Sequence, residues 1–525
     1  MLITVTLKDG QDNAVTGAAA SLTADTVTVP NAILKAGSRW RDNGNGTYTA
    51  AYTATTTGTG LKATVRLSGR GNPASSDAYA ITAATPDGAR SAISTDATTY
   101  VSGSDMAVTV TLKDGQDNAV TGAAASLTAD TVTVPNAILK AGSRWRDNGD
   151  GTYTAAYTAT TAGTDLKATV RLSGRGNPAS SDAYAITAAT PDGTRSAIST
   201  DATTYVSGSD MAVTVTLKDG QDNAVTGAAA SLTADTVTVP NAILKAGSRW
   251  RDNGNGTYTA AYTATTAGTD LRATVRLSGW STAAQSGAYA ITAATPDGAK
   301  SAVSTDATTY VSGSDMAVTV TLKDGQDNAV TGAAASLTAD TVTVPNAILK
   351  AGSRWRDNGD GTYTAAYTAT TAGTELKATV RLSGRGNPAS SDAYAITAAT
   401  PDGAKSAVST DATTYVSGSD MAVTVTLKDG QDNAVTGAAA SLTADTVTVP
   451  NAILKAGSRW RDNGDGTYTA AYTATTTGTG LRATVRLSGW STAAQSGAYA
   501  ITAATPDGAK SAVSTDATTY VSGSD

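Results

Sequence analysis

The sequence predicts an all-β protein, a tandem array of small β-sandwiches of about seven strands each that forms an elongated rod. The chain divides into five blocks, since 5 × 105 = 525, and the block that opens at Met1 opens again at Met106, Met211, Met316 and Met421. Within a block, short runs that alternate apolar and polar residues are separated by turn formers about every 8 to 12 residues. No long run has a helical period. The function is therefore expected to be one that a small unit performs in series.

The block of residues 91–195 contains seven predicted extended segments. They are residues 97–101, 107–112, 125–128, 144–146, 152–158, 166–172 and 184–187. In the second segment Val108, Val110 and Leu112 alternate with threonines, as expected for a half-buried strand. About seven strands in about a hundred residues is the pattern of an Ig-like β-sandwich.

Turn formers separate these segments. Residues 113–118 (KDGQDN) are rich in side chains that bond their own backbone, and residues 147–151 (DNGDG) predict a tight hairpin turn. Residues 162–163 turn the chain again. We interpret residues 135–142 as a loop, with a single helical turn as the alternative because the segment opens on proline and closes on glycine.

The predicted core depends on few large side chains, because alanine, threonine and glycine fill much of each block. Trp145, Tyr153 and Tyr157 are the main aromatic candidates, and their packing should dominate stability. The guanidinium groups of Arg144 and Arg146 should point outward on either side of the Trp145 ring.

These patterns set the expected domain bounds. We expect an Ig-like domain without its first strand at residues 1–90, complete Ig-like domains at residues 91–195, 196–300, 301–405 and 406–510, and the unpaired first strand of a further repeat at residues 511–525. The sequence also contains no run that predicts a signal peptide or a membrane anchor.

The composition argues against an enzyme. The chain has no histidine and no cysteine, and Glu375 is its single glutamate. This excludes Ser-His-Asp and Cys-His nucleophiles, thiolate or imidazole zinc sites, and disulfides. Only aspartate pairs remain for acid–base work, and shallow repeated units supply no large groove for them. The formal net charge of −6, without a basic stripe, argues against nucleic acid as a partner.

Two motifs resemble a known family. Residues 108–122 (VTVTLKDGQDNAVTG) resemble the opening of the bacterial Ig-like (Big-1) repeats of the intimin and invasin adhesins, and residues 145–156 (WRDNGDGTYTAA) resemble the invasin domain 3 type of those repeats. Both motifs recur in all five blocks, with Asn45 and Asn255 replacing the second aspartate in two. The resemblance implies the stalk of an outer-membrane adhesin at the bacterial surface. Nothing in the chain resembles that family's barrel or receptor-binding tip.

Clustered acidic residues suggest calcium, because hard cations prefer carboxylate oxygens. The turn at residues 147–152 holds Asp147 and Asp150 but lacks the spacing and the terminal glutamate of an EF-hand, so a plain hairpin turn is the favoured interpretation. Asp105 and Asp192 near the ends of a repeat could bridge a calcium ion between domains, although solvated loop acids explain them equally well. We therefore expect no cofactor, with calcium as the alternative.

Trp280 and Trp490 are the candidate contact residues. They replace an arginine in a predicted surface loop of the third and fifth blocks. An exposed indole can stack on sugars or anchor a protein interface. The alternative, which we favour, is that the ring folds onto its own domain or onto a neighbouring one.

Three functions fit these observations. The first is a spacer in which interchangeable domains hold a binding tip away from a bacterial surface, partnered by neighbouring Ig-like domains of a longer chain and by receptors that other parts bind. The second is an array of weak sites that uses the tryptophan loops. The third is a fibre subunit that associates head to tail, with residues 511–525 of one molecule completing residues 1–90 of the next.

Overall fold

The computed structural model describes residues 1–67, 71–172, 178–382, 388–523 and 525. Strands and short 3₁₀ turns are its regular elements, and the strands form successive Ig-like sets with a period of one repeat. The predicted all-β tandem array is therefore confirmed. We call the predicted segments 1–90, 91–195, 196–300, 301–405 and 406–510 repeats one to five.

Repeat two has eleven strands within the described residues. They are β1 (Ala92–Thr95), β2 (Thr99–Val101), β3 (Asp105–Thr111), β4 (Val132–Thr133), β5 (Ala137–Leu139), β6 (Arg146–Asp147), β7 (Thr152–Ala159), β8 (Gly163–Leu166), β9 (Thr169–Val170), β10 (Ala179–Ser180) and β11 (Tyr184–Thr187).

Repeats three, four and five carry the same strands. They run from Ala197–Thr200 to Tyr289–Thr292, from Ala302–Thr305 to Tyr394–Thr397, and from Ala407–Thr410 to Tyr499–Thr502. The strands described in repeat one are Leu2–Thr6, Val27–Thr28, Ala32–Leu34, Arg41–Asp42, Thr47–Ala54, Gly58–Leu61, Thr64–Val65, Ala74–Ser75 and Tyr79–Ile81. The 3₁₀ turns are Ala19–Ser21, Ala124–Ser126, Ala229–Ser231, Ala334–Ser336 and Ala439–Ser441.

Each complete repeat is a sandwich of hydrogen-bonded sheets. In repeat two, one layer has the order β1-β3-β7-β5, with β6 also paired to β7. The facing strands form the sheets β2-β11-β8 and β4-β9-β10. The chain thus enters through β1 in one layer and crosses to the other, where β2 lies parallel to β11.

The core of a repeat lies between these layers. Val108, Val110 and Leu112 are fully buried, as the alternation predicts, and Val110 lies opposite the equally buried Tyr153. The Tyr153 hydroxyl donates to the Val120 carbonyl at 2.7 Å. This bond satisfies the one polar atom that the ring brings into the core.

The Trp145 ring packs on the edge of this core, against Tyr157 at a centroid distance of 6.4 Å. Arg144 and Arg146 are exposed on either side of it. The predicted division of this segment, with the ring inward and the charges outward, is confirmed.

Three local predictions are wrong. Residues 124–126 form a 3₁₀ turn instead of an extended run, and the Ser126 hydroxyl caps it by donating to the Ala123 carbonyl. The predicted loop contains β5, which pairs with the end of β7. The predicted strand of residues 166–172 is divided, because β8 pairs with β11 while β9 pairs with β4.

Gly151 in the hairpin turn offers a test of this packing. Its φ is +86°, and a Cβ there would lie 2.8 Å from the Ala119 Cβ. We expect Gly151→Ala to destabilise repeat two by about 2–4 kcal/mol, because backbone strain and a steric overlap add. Gly149→Ala is the matched control, since Gly149 has φ +85° but open space around it, and it should cost about 1–2 kcal/mol. Equal shifts of the calorimetric transition in the two variants would contradict the described contact.

Candidate functional site: the junctions between repeats

The KDGQDN segment lies at the end of each repeat that faces the preceding one. We call it the junction loop; in repeat three it is residues 218–223. The Asp219 carboxylate accepts hydrogen bonds from the backbone N–H groups of Gln221 and Asn223, at 2.9 and 2.8 Å. Asp222 takes a left-handed conformation with φ +65°, which aspartate tolerates better than most residues. The loop is therefore folded by its own side chains, and this leaves the Asn223 amide directed at repeat two.

Asn223 connects the two repeats. Its Nδ2 donates to the Thr160 carbonyl at 2.7 Å and to the Ser102 hydroxyl at 2.8 Å, and its Oδ1 accepts from the Ala162 N–H at 2.8 Å. The same Nδ2 also lies 3.0 Å from the Asp219 carboxylate. Asn223 is 8% exposed, so these bonds are shielded from water. One amide thus fixes the position of three backbone or hydroxyl groups of the neighbouring repeat.

The same contacts recur at the next two junctions. Asn328 bonds with Ser207, Thr265 and Ala267, and Asn433 bonds with Ser312, Thr370 and Ala372, at 2.7–2.8 Å. At the first junction Asn118 bonds with Thr55 and Thr57 of repeat one. The described contacts of Asn118 include no serine, and its side chain is more exposed than that of Asn223.

The segment that joins two repeats is held to the same loop. The Ala189 N–H donates to the Asp219 carboxylate at 3.0 Å, and the Asp192 N–H donates to the Lys218 carbonyl at 2.7 Å. Arg195 and Asp222 form a half-exposed ion pair at 2.9 Å. Such an exposed pair contributes at most about 1 kcal/mol, so the two half-buried bonds of the linker N–H groups are the main connection between the linker and the loop.

The junction carboxylates have lowered pKa values. Burial acts to raise the pKa of Asp114, but hydrogen bonds from the Asn118 side chain and from the N–H groups of Ala84, Asn118 and Gln116 outweigh it and lower that pKa to about 2. The pKa of Asp219 is lowered by the same balance of burial and hydrogen bonds. Asp324 and Asp429 share this direction. All four carboxylates therefore favour the ionised form that the junction needs.

Acid should weaken the junctions. Because the pKa of each carboxyl is lower in the folded state than in the unfolded chain, this stabilisation is present above the unfolded value and is lost as the pH falls through the folded value, which for Asp114 is about 2. We expect the distance between probes on neighbouring repeats to broaden over this range while the β-sheet circular dichroism persists. A distance distribution that stays narrow at pH 2 would contradict a structural role for these carboxylates.

Trp280 and Trp490 lie beside the linkers. The Trp280 Nε1 donates to the Pro191 carbonyl at 2.9 Å, and its ring packs so close to Gly193 that a Cβ there would lie 2.9 Å away. Trp490 makes the same contacts with Pro401 and Gly403. The rings are 8% and 7% exposed. This burial corrects the expectation of exposed rings and agrees with the alternative in which they fold onto the protein. The corresponding arginines of repeats one, two and four lie outside the described residues.

The acidic residues suggested for calcium act as hydrogen-bond acceptors. Asp147 accepts from the N–H groups of Gly122 and Gly149, and Asp150 accepts from the Thr152 N–H and hydroxyl. These bonds lower the pKa of both carboxyls. Calcium at this turn stays a prediction.

The two end-of-repeat aspartates also have partners. Asp105 forms an ion pair with Lys140, and Asp192 accepts from the Thr194 N–H at 2.7 Å. Over the described part of the chain, no cluster of three or more metal-ligating acids occurs. A calcium ion bridging two domains at these residues also stays a prediction.

The fold and the junctions define a tandem array of Ig-like domains joined by repeated polar contacts. No family model matches the sequence, and a comparison with curated proteins finds no match. Among solved structures, the chain is similar to FdeC, an adhesin of Escherichia coli, with 27% identity, coverage of 60% of this chain and 99% of that chain, and a TM-score of 0.34.

Two further structures are similar. Invasin, a bacterial integrin-binding protein, has 16% identity, coverage of 78% of both chains and a TM-score of 0.33. The Yersinia pseudotuberculosis adhesin InvE has 17% identity, coverage of 53% of this chain and 74% of that chain, and a TM-score of 0.24. All three are bacterial adhesins, the class that the sequence motifs resemble. Scores this low do not assign a function, which is inferred below from the chain's own residues.

Proposed function

We propose that this chain is a stalk segment of a bacterial cell-surface adhesin of the intimin and invasin type, and that it holds a binding tip away from the surface. The observation that carries the proposal is the junction geometry, which recurs with the same partners and distances at three successive joints. A spacer needs its units to add length in one direction. Identical joints between near-identical domains provide this, because each domain is placed on its predecessor in the same way.

The joints also favour stiffness. The three recurring joints each place a buried asparagine and a buried aspartate of one repeat against backbone groups of the preceding one. Bending would expose or separate these groups, and an unsatisfied buried polar group costs about 1–3 kcal/mol. The linker cannot absorb the motion freely, since its backbone is bonded to the junction loop.

In this function the chain stands at the bacterial surface as part of an outer-membrane-attached adhesin, and receptors are bound by other parts of the adhesin. In the described residues no helix is long and apolar enough to cross a membrane. We assign no catalytic residue, and the domain bounds are those expected from the repeats.

Distances between site-specific labels test this function. The chain has no cysteine, so pairs of introduced cysteines can be labelled without background. Ala129, Ala234, Ala339 and Ala444 are equivalent exposed positions in repeats two to five. With Ala129→Cys as the common site, we expect distances of about 35, 70 and 105 Å to the other three. Label distances that do not increase by a constant step per repeat, or broad distance distributions for all three pairs, would overturn the spacer role.

A further inference from the structure

The chain enters and leaves a repeat through strands that are bonded to each other. In repeat two it enters through β1 and β2 and leaves through β11, and β2 lies parallel to β11. The Ala185 N–H donates to the Thr98 carbonyl at 2.9 Å, and the Ser102 N–H donates to the Thr187 carbonyl at 2.8 Å. We call β2 and β11 the terminal pair. Tension along the chain is therefore transmitted to this pair from both linkers.

The two linkers are attached at opposite ends of the terminal pair. β1, which leads into β2, begins beside the junction loop that faces repeat one, because Ala92 lies opposite Thr111. β11 ends beside repeat three, since the last backbone bond of the pair joins Thr187 to Ser102. The Ser102 hydroxyl in turn accepts from the Asn223 amide of repeat three at 2.8 Å. Tension thus pulls β2 towards repeat one and β11 towards repeat three.

This direction of load places the terminal pair in shear. The hydrogen bonds of a sheet run between the strands, so a load along the strands at opposite ends strains all of these bonds together. A load that pulls neighbouring ends apart breaks the bonds one after another. A parallel pair that is loaded at opposite ends therefore separates only when its whole ladder is lost.

Buried side chains oppose sliding of the pair. Tyr100 of β2 lies opposite Ile186 of β11, and the two residues are 5% and 2% exposed. The Tyr100 ring also packs edge-on against the Tyr184 ring, at a centroid distance of 6.0 Å. A slip of one residue would turn the buried side chains of a strand to the opposite face, so the register resists the load as well.

A side-chain bond adds to the ladder. The Thr187 hydroxyl donates to the Tyr100 carbonyl at 3.2 Å. In repeats three, four and five the same bond, at 3.1–3.2 Å, is donated by Thr292, Thr397 and Thr502. The last backbone bond of the pair recurs at 2.8 Å, donated by the N–H groups of Ser207, Ser312 and Ser417. Repeats two to five thus share the same terminal pair.

We infer that the terminal pair of each of these repeats is a mechanical clamp, and that the array carries tension along its length without unfolding. This load-bearing function goes beyond the spacer role, since a spacer needs only length. It follows from the path of the chain through each repeat and does not depend on the assignment to an adhesin stalk.

Single-molecule pulling on repeat two tests the inference by comparing two attachment geometries. The chain has no cysteine, so handles can be attached to introduced cysteines in the whole chain. Ala92→Cys with Thr194→Cys applies the load at opposite ends of the terminal pair, whereas Val101→Cys with Thr194→Cys applies it at neighbouring ends. All three positions are exposed, so these substitutions leave the core of the repeat unchanged.

At equal load, we expect repeat two to unfold at least about tenfold more slowly with the opposite-end attachment, because the bonds of the ladder are then lost together. Both geometries should release about 300 Å of chain, which identifies the unfolding of the whole repeat. Equal lifetimes of the repeat in the two geometries would overturn the clamp.

A matched pair of threonine variants tests the contact. Thr187→Val removes the bond to Tyr100 across the terminal pair, whereas Thr131→Val removes a bond to the Ser126 carbonyl, at 2.8 Å, outside the pair. Under opposite-end load we expect Thr187→Val to unfold about two- to tenfold faster. Thr131→Val should lower the melting temperature but leave the unfolding rate under load unchanged, because its region is still folded when the pair separates. A similar acceleration in both variants would overturn the assignment of the clamp to β2 and β11.

Discussion

We expect the Asn223→Ala chain to bend freely between repeats two and three. The substitution removes the amide that donates to Thr160 and Ser102 and accepts from Ala162. In the closed joint, the loss leaves the part-buried Ala162 N–H without its partner, which costs about 1–3 kcal/mol. It also removes one of two donors to the Thr160 carbonyl, which still accepts from the Ser102 hydroxyl. Opening the joint to water relieves this cost, so the variant should favour open conformations. Labels at positions 129 and 234 should then show a broader distance distribution.

Asn13→Ala is the matched control for this effect. Asn13 occupies the same position in the junction loop of repeat one, but it is exposed and bonds with Asp9 of its own loop. The same change there should leave every distance between repeats unaltered. If Asn223→Ala also leaves the 129–234 distribution narrow, the amide does not hold the joint.

Trp280→Ala should produce the largest loss of stability of any single change considered. The ring is buried in the core cluster of repeat three, and its Nε1 bonds with the Pro191 carbonyl. Removing it creates a cavity next to Gly193 and frees the linker, at a cost of about 3–5 kcal/mol. In calorimetry of the whole chain, we expect one repeat to unfold at a clearly lower temperature than the others.

Two further variants test the cause of this loss of stability. Trp490→Ala should have the same effect on repeat five, because its contacts are equivalent. Trp280→Phe keeps much of the ring packing but loses the hydrogen bond, and should cost about 1–2 kcal/mol. An unchanged transition in Trp280→Ala, together with weaker binding to a cell surface or glycan, would instead support the array of weak sites.

The strands with a two-residue period could be predicted from the sequence. The residues of β3 and β7 alternate between a buried face and a more exposed face, as expected for half-buried strands. β5 could not be predicted this way, because Ile138 is 62% exposed and breaks the relation between apolar residues and burial. The division between β8 and β9 could not be predicted either, because a segment that passes from one sheet to another can keep an unbroken alternation of apolar and polar residues.

The sequence predicts the junction loop as a turn, but it does not predict the contact of this loop with the preceding repeat. Aspartate, glycine and asparagine predict a turn for local reasons, whereas the bonds of Asn223 reach Thr160 and Ala162, about sixty residues earlier. KDGQDN is unchanged in all five blocks, but the segment that follows it is unchanged as well, up to the DNG of the hairpin turn. Repetition alone therefore does not distinguish the junction loop from a solvated turn.

Small-angle X-ray scattering of the whole chain tests the central claim most directly. With data extrapolated to zero concentration, five repeats held in line by the described joints should give a maximum dimension of about 170 Å. Calcium should leave this value unchanged, because the turn carboxylates already accept hydrogen bonds. A much shorter dimension, or a scattering profile typical of freely jointed beads, would contradict a stalk built from fixed junctions.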